Sequence, residues 1–248
     1  MLAKLRLKLK SKSRITRDMS SLFHGAVLEM LDTEYVHKLH CSSVNPYSMY
    51  LSFEEEEVYL NLMTLTKDAY DRIIFNRLDR LDGFDLRHNG IHIEVEEHML
   101  ESQGRKTLLK DFYKECLSSQ ITVEFCTPTA FKQRGKYLFL PDIRCIYQSL
   151  LNKYEETDED FAFKDEDTLF HLTEHTHIKG YRLKSVPFPL EGINIPGFVG
   201  ELRLSLSAPK PLINLANILF EFGTYSGIGI KTSMGMGGIR LHKGGKKL

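Results

Sequence analysis

The chain of 248 residues is long for one small module and comfortable for two. Apolar residues make up 42% of it, enough to fill sizeable cores, and no apolar run is long enough to span a membrane. Lys and Arg (33) cancel Asp and Glu (33), which excludes a generally polycationic protein. The basic opening, MLAKLRLKLKSKSR, has no continuous apolar stretch and does not read as a signal peptide, so the expected setting is cytoplasmic.

In that opening, Leu2, Leu5, Leu7 and Leu9 stand against Lys4, Arg6, Lys8 and Lys10, which predicts a half-buried strand with a basic outer face. Residues 18–31 predict a helix that Asp18 or Ser20 can cap, with Leu22, Ala26 and Met30 at helical spacing. Asp32-Thr33 is a fresh capping signal for a second short helix to about Leu39. Residues 47–53 and 56–63 alternate like paired strands, 67–79 read as a helix and 90–98 as a strand. The order β, α, β, β, α, β is that of a ferredoxin-like module.

A helical connector over about 107–117 precedes a second pass of the same order. It runs through a strand at 121–126, a helix at 141–154 opened by Pro141, a long β segment at about 169–187 and a strand at 198–206. A helix over 208–222, near Pro209 and Pro211, and a last β segment at 227–242 complete it. The expected fold is therefore α+β, two tandem ferredoxin-like (βαββαβ) modules over 1–118 and 119–248, joined without visible sequence repeat. Cys41, Cys116, Cys126 and Cys145 show no CxxC pairing and read as small buried hydrophobes.

Charge is unevenly spread. Residues 1–17 hold seven Lys/Arg and no acid, residues 223–248 hold five and no acid, and residues 155–167 hold eight acids and one Lys in what reads as an exposed loop. Glu54 to Glu57 form another acidic run. If the two basic termini meet, they give a neutral body one positive face, the footprint for a polyanion; the alternative is solvated surface charge.

The richest segment is GTYSGIGIKTSMGMGGIRL, 223–241. Glycines there, including Gly227, Gly229, Gly235 and Gly237, supply positive φ and let backbone approach a ligand; exposed N–H groups around Lys231, Thr232 and Ser233 can form a nest for phosphate. A Walker loop is excluded because Lys231 follows Ile230 rather than glycine, and a dinucleotide fingerprint because no acid follows. A glycine hairpin in a last strand fits a nucleic-acid backbone better.

This tail resembles the C-terminal glycine-rich motif of the repeat-processing endoribonuclease family of CRISPR systems, within the repeat-associated mysterious protein (RAMP) superfamily. LFHGAVLEMLDTEYVHKLH (22–40), VEFCTPTAFKQRGKYLFLPD (123–142) and IPGFVGELRLSL (195–206) resemble further segments of that family. The resemblance implies two ferredoxin-like modules, no cofactor and cleavage of precursor CRISPR RNA within each repeat. A CRISPR effector complex is a possible further partner; the protein would be a monomer or homodimer, with no membrane partner. The chemistry implied is attack by a ribose 2′-OH, leaving a 2′,3′-cyclic phosphate; it needs a base, an acid and a donor to the phosphate.

By the same resemblance His40 is the leading general acid or base and His24 the second proton-transfer residue; His37 reads as a bystander. On one straight helix His24 and His40 would face nearly opposite ways, at ~100° per residue, so they converge only if the chain turns at Asp32-Thr33. Family members often carry a lysine soon after the histidine, whereas CSSVNPYS follows here. Lys38, Ser42, Tyr47 and Lys231 are the candidates for that role. Lys132, Arg134 and Lys136 would share one face if extended and track phosphates, with Phe131 and Tyr137 stacking on bases or packing in the core. Two other readings stand beside this one. His171, His175 and His177 share parity on the expected strand and could bind zinc in a hydrolase. A non-cleaving relative that only holds the guide RNA would share every feature except working histidines.

Overall fold

The computed structural model describes residues 1–86, 90–112, 117–157 and 166–242. Cys116, most of the acidic stretch and the terminal Lys243, Lys246 and Lys247 lie outside the described residues. In the first half, β1 (Leu2–Lys10) is followed by a 3-10 turn at Arg17–Met19, α1 (Ser20–Glu29) and α2 (Thr33–Cys41). Neither Asp18 nor Ser20 caps α1; its N-cap position is Met19, with no side-chain cap bond. β2 (Tyr47–Glu54) and β3 (Glu57–Thr64) form a hairpin whose two-residue turn puts Glu55 at φ 52°. The next helix, α3, starts at Lys67–Ala69 under a Thr66 cap and passes into a π-helix over Tyr70–Leu78. The strand expected at 90–98 is longer, β5 (Ile91–Gln103), and pairs with a short edge strand, β4 (Gly83–Leu86), that the sequence did not suggest.

The first sheet has the order β2-β3-β1-β5-β4. Without β4 this is the ferredoxin-like arrangement: the first strand sits centrally between the third and the last. Ala3, Leu5, Leu7 and Leu9 point from β1 into the first core, beneath α1 and α3. Leu2 has the opposite parity. It turns to the other side and joins Tyr50, Met63 and Leu65 in the core of the second half.

After α4 (Arg105–Phe112), the second sheet is ordered β11-β6-β10-β9, again ferredoxin-like. Its strands are β6 (Gln120–Thr129), β9 (Thr176–Leu190), β10 (Ile193–Leu206) and β11 (Ile239–His242), with α5 (Ile143–Glu156) and α7 (Lys210–Ser226) on one face. Asp142, rather than Pro141, opens α5: its carboxylate accepts a bond from the Cys145 N–H at 2.7 Å. A small hairpin, β7 (Phe131–Gln133) with β8 (Lys136–Leu138), precedes α5, and α6 (Glu166–Glu174) precedes β9. No described helix is long and apolar enough to cross a membrane.

The two halves form one packed body. Each buried side chain such as Leu2 or Leu65 contributes about 2 kcal/mol to holding them together. Polar bonds add register: Lys4 Nζ donates to Thr224 Oγ1 (2.9 Å) and Ser48 Oγ to the Tyr225 carbonyl (2.6 Å). Among the described residues, β1 and Arg240 do not present the expected positive face. Glu54 binds both Arg6 and Arg240, while Lys8 and Lys10 pair with Glu57, Glu96 and Glu97, so these basic segments are neutralised by their neighbours. The cysteine expectation holds for buried Cys145, but Cys41 is exposed, 3.8 Å from His37 Nδ1.

Candidate functional site

His24 lies in the middle of α1 and His40 in the last turn of α2. The chain turns at Met30–Asp32, and that break lets the two imidazoles come into electrostatic reach. His24 is half-buried and stacks on the Tyr47 ring at 6.2 Å between centroids. Burial lowers its pKa to about 4, with further lowering from His40 and from the Lys231 ammonium. His24 on α1 thus lies within electrostatic reach of His40 on α2 and of Lys231 in the glycine segment. His40 and Lys231 are both exposed.

Three of the four candidates for the phosphate role are engaged elsewhere or buried. Lys38 is occupied with Asp68 (3.5 Å), and Ser42 Oγ donates to the Lys38 carbonyl (2.8 Å). Tyr47 is buried, with the Ser233 side chain beside its hydroxyl. Lys231 is held at φ 55° as the left-handed entry to a 3-10 turn, Thr232–Met234. This turn packs on α1 and β2; Asn45 Nδ2 donates to Ser233 Oγ at 3.1 Å.

The glycine segment is not the hairpin strand the sequence suggested. It is a loop, and β11 starts only at Ile239. Its glycines serve packing. A Cβ on Gly229 would meet the Ala130 carbonyl at 2.3 Å, one on Gly237 the Ile228 carbonyl at 2.1 Å, and one on Gly235 the Ser20 Cβ at 2.4 Å. Their N–H groups turn inward: Gly227 to the Gly223 carbonyl, Gly229 to Ser149 Oγ and Gly237 to the Pro128 carbonyl. The N–H groups of Gly227, Gly229 and Gly237 are therefore not open to a ligand. Among the described residues the successive N–H groups of Lys231, Thr232 and Ser233, where the backbone passes from left- to right-handed, have no backbone partner within the loop and form a shorter run.

Beneath the loop lies Lys153 of α5, which sequence reading missed. Its ammonium is buried and donates to the Ser226 carbonyl (3.3 Å), the Gly227 carbonyl (3.0 Å) and Thr232 Oγ1 (3.2 Å). Burial lowers its pKa from 10.5 to about 7. The signal was two stripes of three residues at four-residue spacing on α5, Arg144/Gln148/Asn152 and Cys145/Ser149/Lys153.

These shifts fix a pH dependence of stability. The unfolded chain protonates His24 near 6.5 and the folded one near 4, so this group's contribution is full above 6.5 and is lost as pH falls through about 4. The unfolded chain holds the Lys153 proton to 10.5 and the folded one to about 7, so that contribution is full above 10.5 and is lost as pH falls through about 7. In chemical denaturation, stability is expected to rise with pH in both windows, by up to about 1.4 kcal/mol per pH unit for each group. Lys153→Met should abolish only the upper rise and His24→Asn only the lower one. A parent protein with flat stability between pH 7 and 10 would contradict the burial of a titrating Lys153.

Lys132, Arg134 and Lys136 do not line one strand face. Arg134 (φ 47°) and Gly135 (φ 79°) form the tight turn between β7 and β8, so Lys132 and Lys136 sit on opposite arms. Phe131 is core, packed against Phe198, and Tyr137 lies 5.9 Å under the Lys132 ammonium. The zinc reading fails on backbone grounds. His171 is in α6, His175 follows it and only His177 is on β9, so the three share no strand face; among the described residues no group of three His, Cys, Asp or Glu could hold a metal ion.

Residues 123–239 match the model of the family described as CRISPR-associated endoribonuclease Cas6. The chain is 36% identical over 227 residues to the Streptococcus thermophilus protein of that name, covering 92% of this chain and 93% of that one. It is 35% identical over 220 residues to a Mycobacterium tuberculosis relative of the same name, covering 88% of this chain and 70% of that one. Among solved structures it resembles a Thermus thermophilus Cas6 in a product complex, with a TM-score of 0.82 at 21% identity over 98% of this chain and 100% of that one. A second Cas6 product complex gives 0.79 at 24% identity over 98% of this chain and 99% of that one. With the near full-length identity added to the double ferredoxin-like fold, this chain belongs to the CRISPR-associated endoribonuclease Cas6 family.

Proposed function

We propose that the protein cleaves precursor CRISPR RNA within its repeats, in the cytoplasm and without a metal, by transesterification. The 2′-oxygen bonds to the adjacent phosphorus as the bond from phosphorus to the 5′-oxygen breaks. His24 takes the 2′-OH proton and His40 gives one to the leaving 5′-oxygen. The products are a 2′,3′-cyclic phosphate and a 5′-hydroxyl. The observation that carries this reading is the convergence of His24, His40 and Lys231.

The roles follow from the environments. His24, stacked and half-buried, is neutral at neutral pH and so has a lone pair to accept a proton. His40 is exposed in the last turn of α2, open to the leaving oxygen of a docked strand. Lys231 and the N–H groups of Lys231, Thr232 and Ser233 supply positive potential to the non-bridging oxygens, where charge grows in the transition state.

The test is cleavage of the cognate repeat in EDTA, with analysis of product ends. The expected result is undiminished cutting, a cyclic phosphate at the new 3′ end and no cutting when the nucleotide before the break is 2′-deoxy. Cleavage that needs added zinc, or that persists on the 2′-deoxy substrate, would overturn the mechanism. Binding without cleavage would leave a protein that only holds RNA.

A further inference from the structure

A cavity of about 530 Å³ opens beside the histidine site, between α5, the β7–β8 hairpin, the Ser43–Asn45 segment and the glycine loop. Lys231 lines this cavity and also lies within electrostatic reach of His24, so the cavity adjoins the histidine site. The cavity has a distinct chemistry. Lys132, Arg144, Lys153 and Lys231 line it and no carboxylate does. Among the described residues none of these four cations has a carboxylate partner, in contrast to the neutralised basic strand β1.

Its far wall is the polar stripe of α5. Gln148 Nε2 donates to Asn152 Oδ1 at 2.8 Å, one helical turn away. That bond fixes both amides and leaves the Gln148 oxygen as an acceptor and the Asn152 nitrogen as a donor. An adjacent acceptor and donor are what the edge of a nucleobase pairs with. Ile230 adds an apolar surface for the face of a ring. The volume lies in the range of small-ligand pockets, roughly 300–1,000 Å³.

We propose that this cavity receives one unstacked nucleotide of the repeat, with its phosphate held by Lys132, Arg144 and Lys231 and its base edge read by Gln148 and Asn152. The pocket makes these two α5 residues specificity determinants for one base near the scissile phosphate. The proposal rests on the RNA reading above and adds to it where sequence discrimination resides.

The experiment replaces each repeat nucleotide in turn with an abasic ribonucleotide. Binding and single-turnover cleavage are measured on the same RNA set, for the full chain and for its Gln148→Ala and Asn152→Ala variants, with thermal melts to confirm folding. One abasic position near the cut is expected to weaken the parent's binding or cleavage by about tenfold or more. Both variants are expected to lose that dependence while keeping the parent's response elsewhere. Variants that show the parent's dependence at every position, or a parent indifferent to every abasic site, would overturn the pocket and leave the cleavage chemistry standing. A parent that binds, loses affinity at one abasic position and never cuts would end the chemistry and keep the pocket. A parent that binds no repeat RNA ends both.

Discussion

Replacing His40 with alanine is expected to lower the single-turnover cleavage rate by on the order of 10²–10⁴ while repeat binding is retained. His40 is exposed at the end of α2 and belongs to neither packed core, so its removal costs little stability. His24→Ala is expected to lower the rate by a similar factor, but with a different secondary effect. His24 stacks on Tyr47, and its loss opens space beside a buried ring. It should therefore also lower stability, by about 1 kcal/mol, which denaturation at neutral pH would register. Unchanged cleavage in His40→Ala would remove that residue from the site. Lost binding in both would mean the histidines hold RNA rather than act on it.

Gly235→Ala should damage both fold and activity. Gly235 sits at φ 111°, a conformation that alanine resists, and its Cβ would press on Ser20 Cβ at 2.4 Å and the Phe188 ring at 3.2 Å. Backbone strain of this kind costs about 1–3 kcal/mol, and the clash with α1 adds to it. The 3-10 turn would be pushed away from α1, carrying Lys231 from His24, so cleavage should fall by on the order of tenfold or more. Gly192→Ala separates the two causes. Gly192 has φ 80° with nothing within 4 Å of its would-be Cβ, so it carries strain without contact and should leave cleavage intact. Combining Gly235→Ala with Ser20→Gly, which removes the clashing atom, should recover part of the loss. If Gly235→Ala and Gly192→Ala behave alike, the docking of the glycine loop on α1 is not what positions Lys231.

β1, β2, β3 and β6 fall where the pattern puts them, because alternation is a direct imprint of a half-buried sheet. α6 occupies the start of the β segment expected at about 169–187, where helical signals are stronger than the alternation. Glu166 and Asp167 sit in the first turn, and Leu169 and Leu172 at helical spacing are the buried pair. The glycine segment was misread for a related reason. Its apolar residues alternate, yet left-handed Gly227, Gly229, Lys231, Gly235 and Gly237 break the extended backbone that alternation presumes. The turn that brings His40 within electrostatic reach of His24 was legible through the capping signal at Asp32. Lys153 was not, because a lysine amid Leu150, Leu151 and Tyr154 looks like a helix surface residue until the loop that covers it is known.

The proton roles face their most direct measurement in a repeat RNA whose scissile 5′-oxygen is replaced by sulfur, a leaving group that departs without protonation. On this substrate His40→Ala is expected to regain most of the parent's rate, while His24→Ala stays slow because the 2′-OH still needs a base. Equal deficits for both variants on the oxygen and sulfur substrates would contradict the account, as would rescue of His24→Ala in place of His40→Ala.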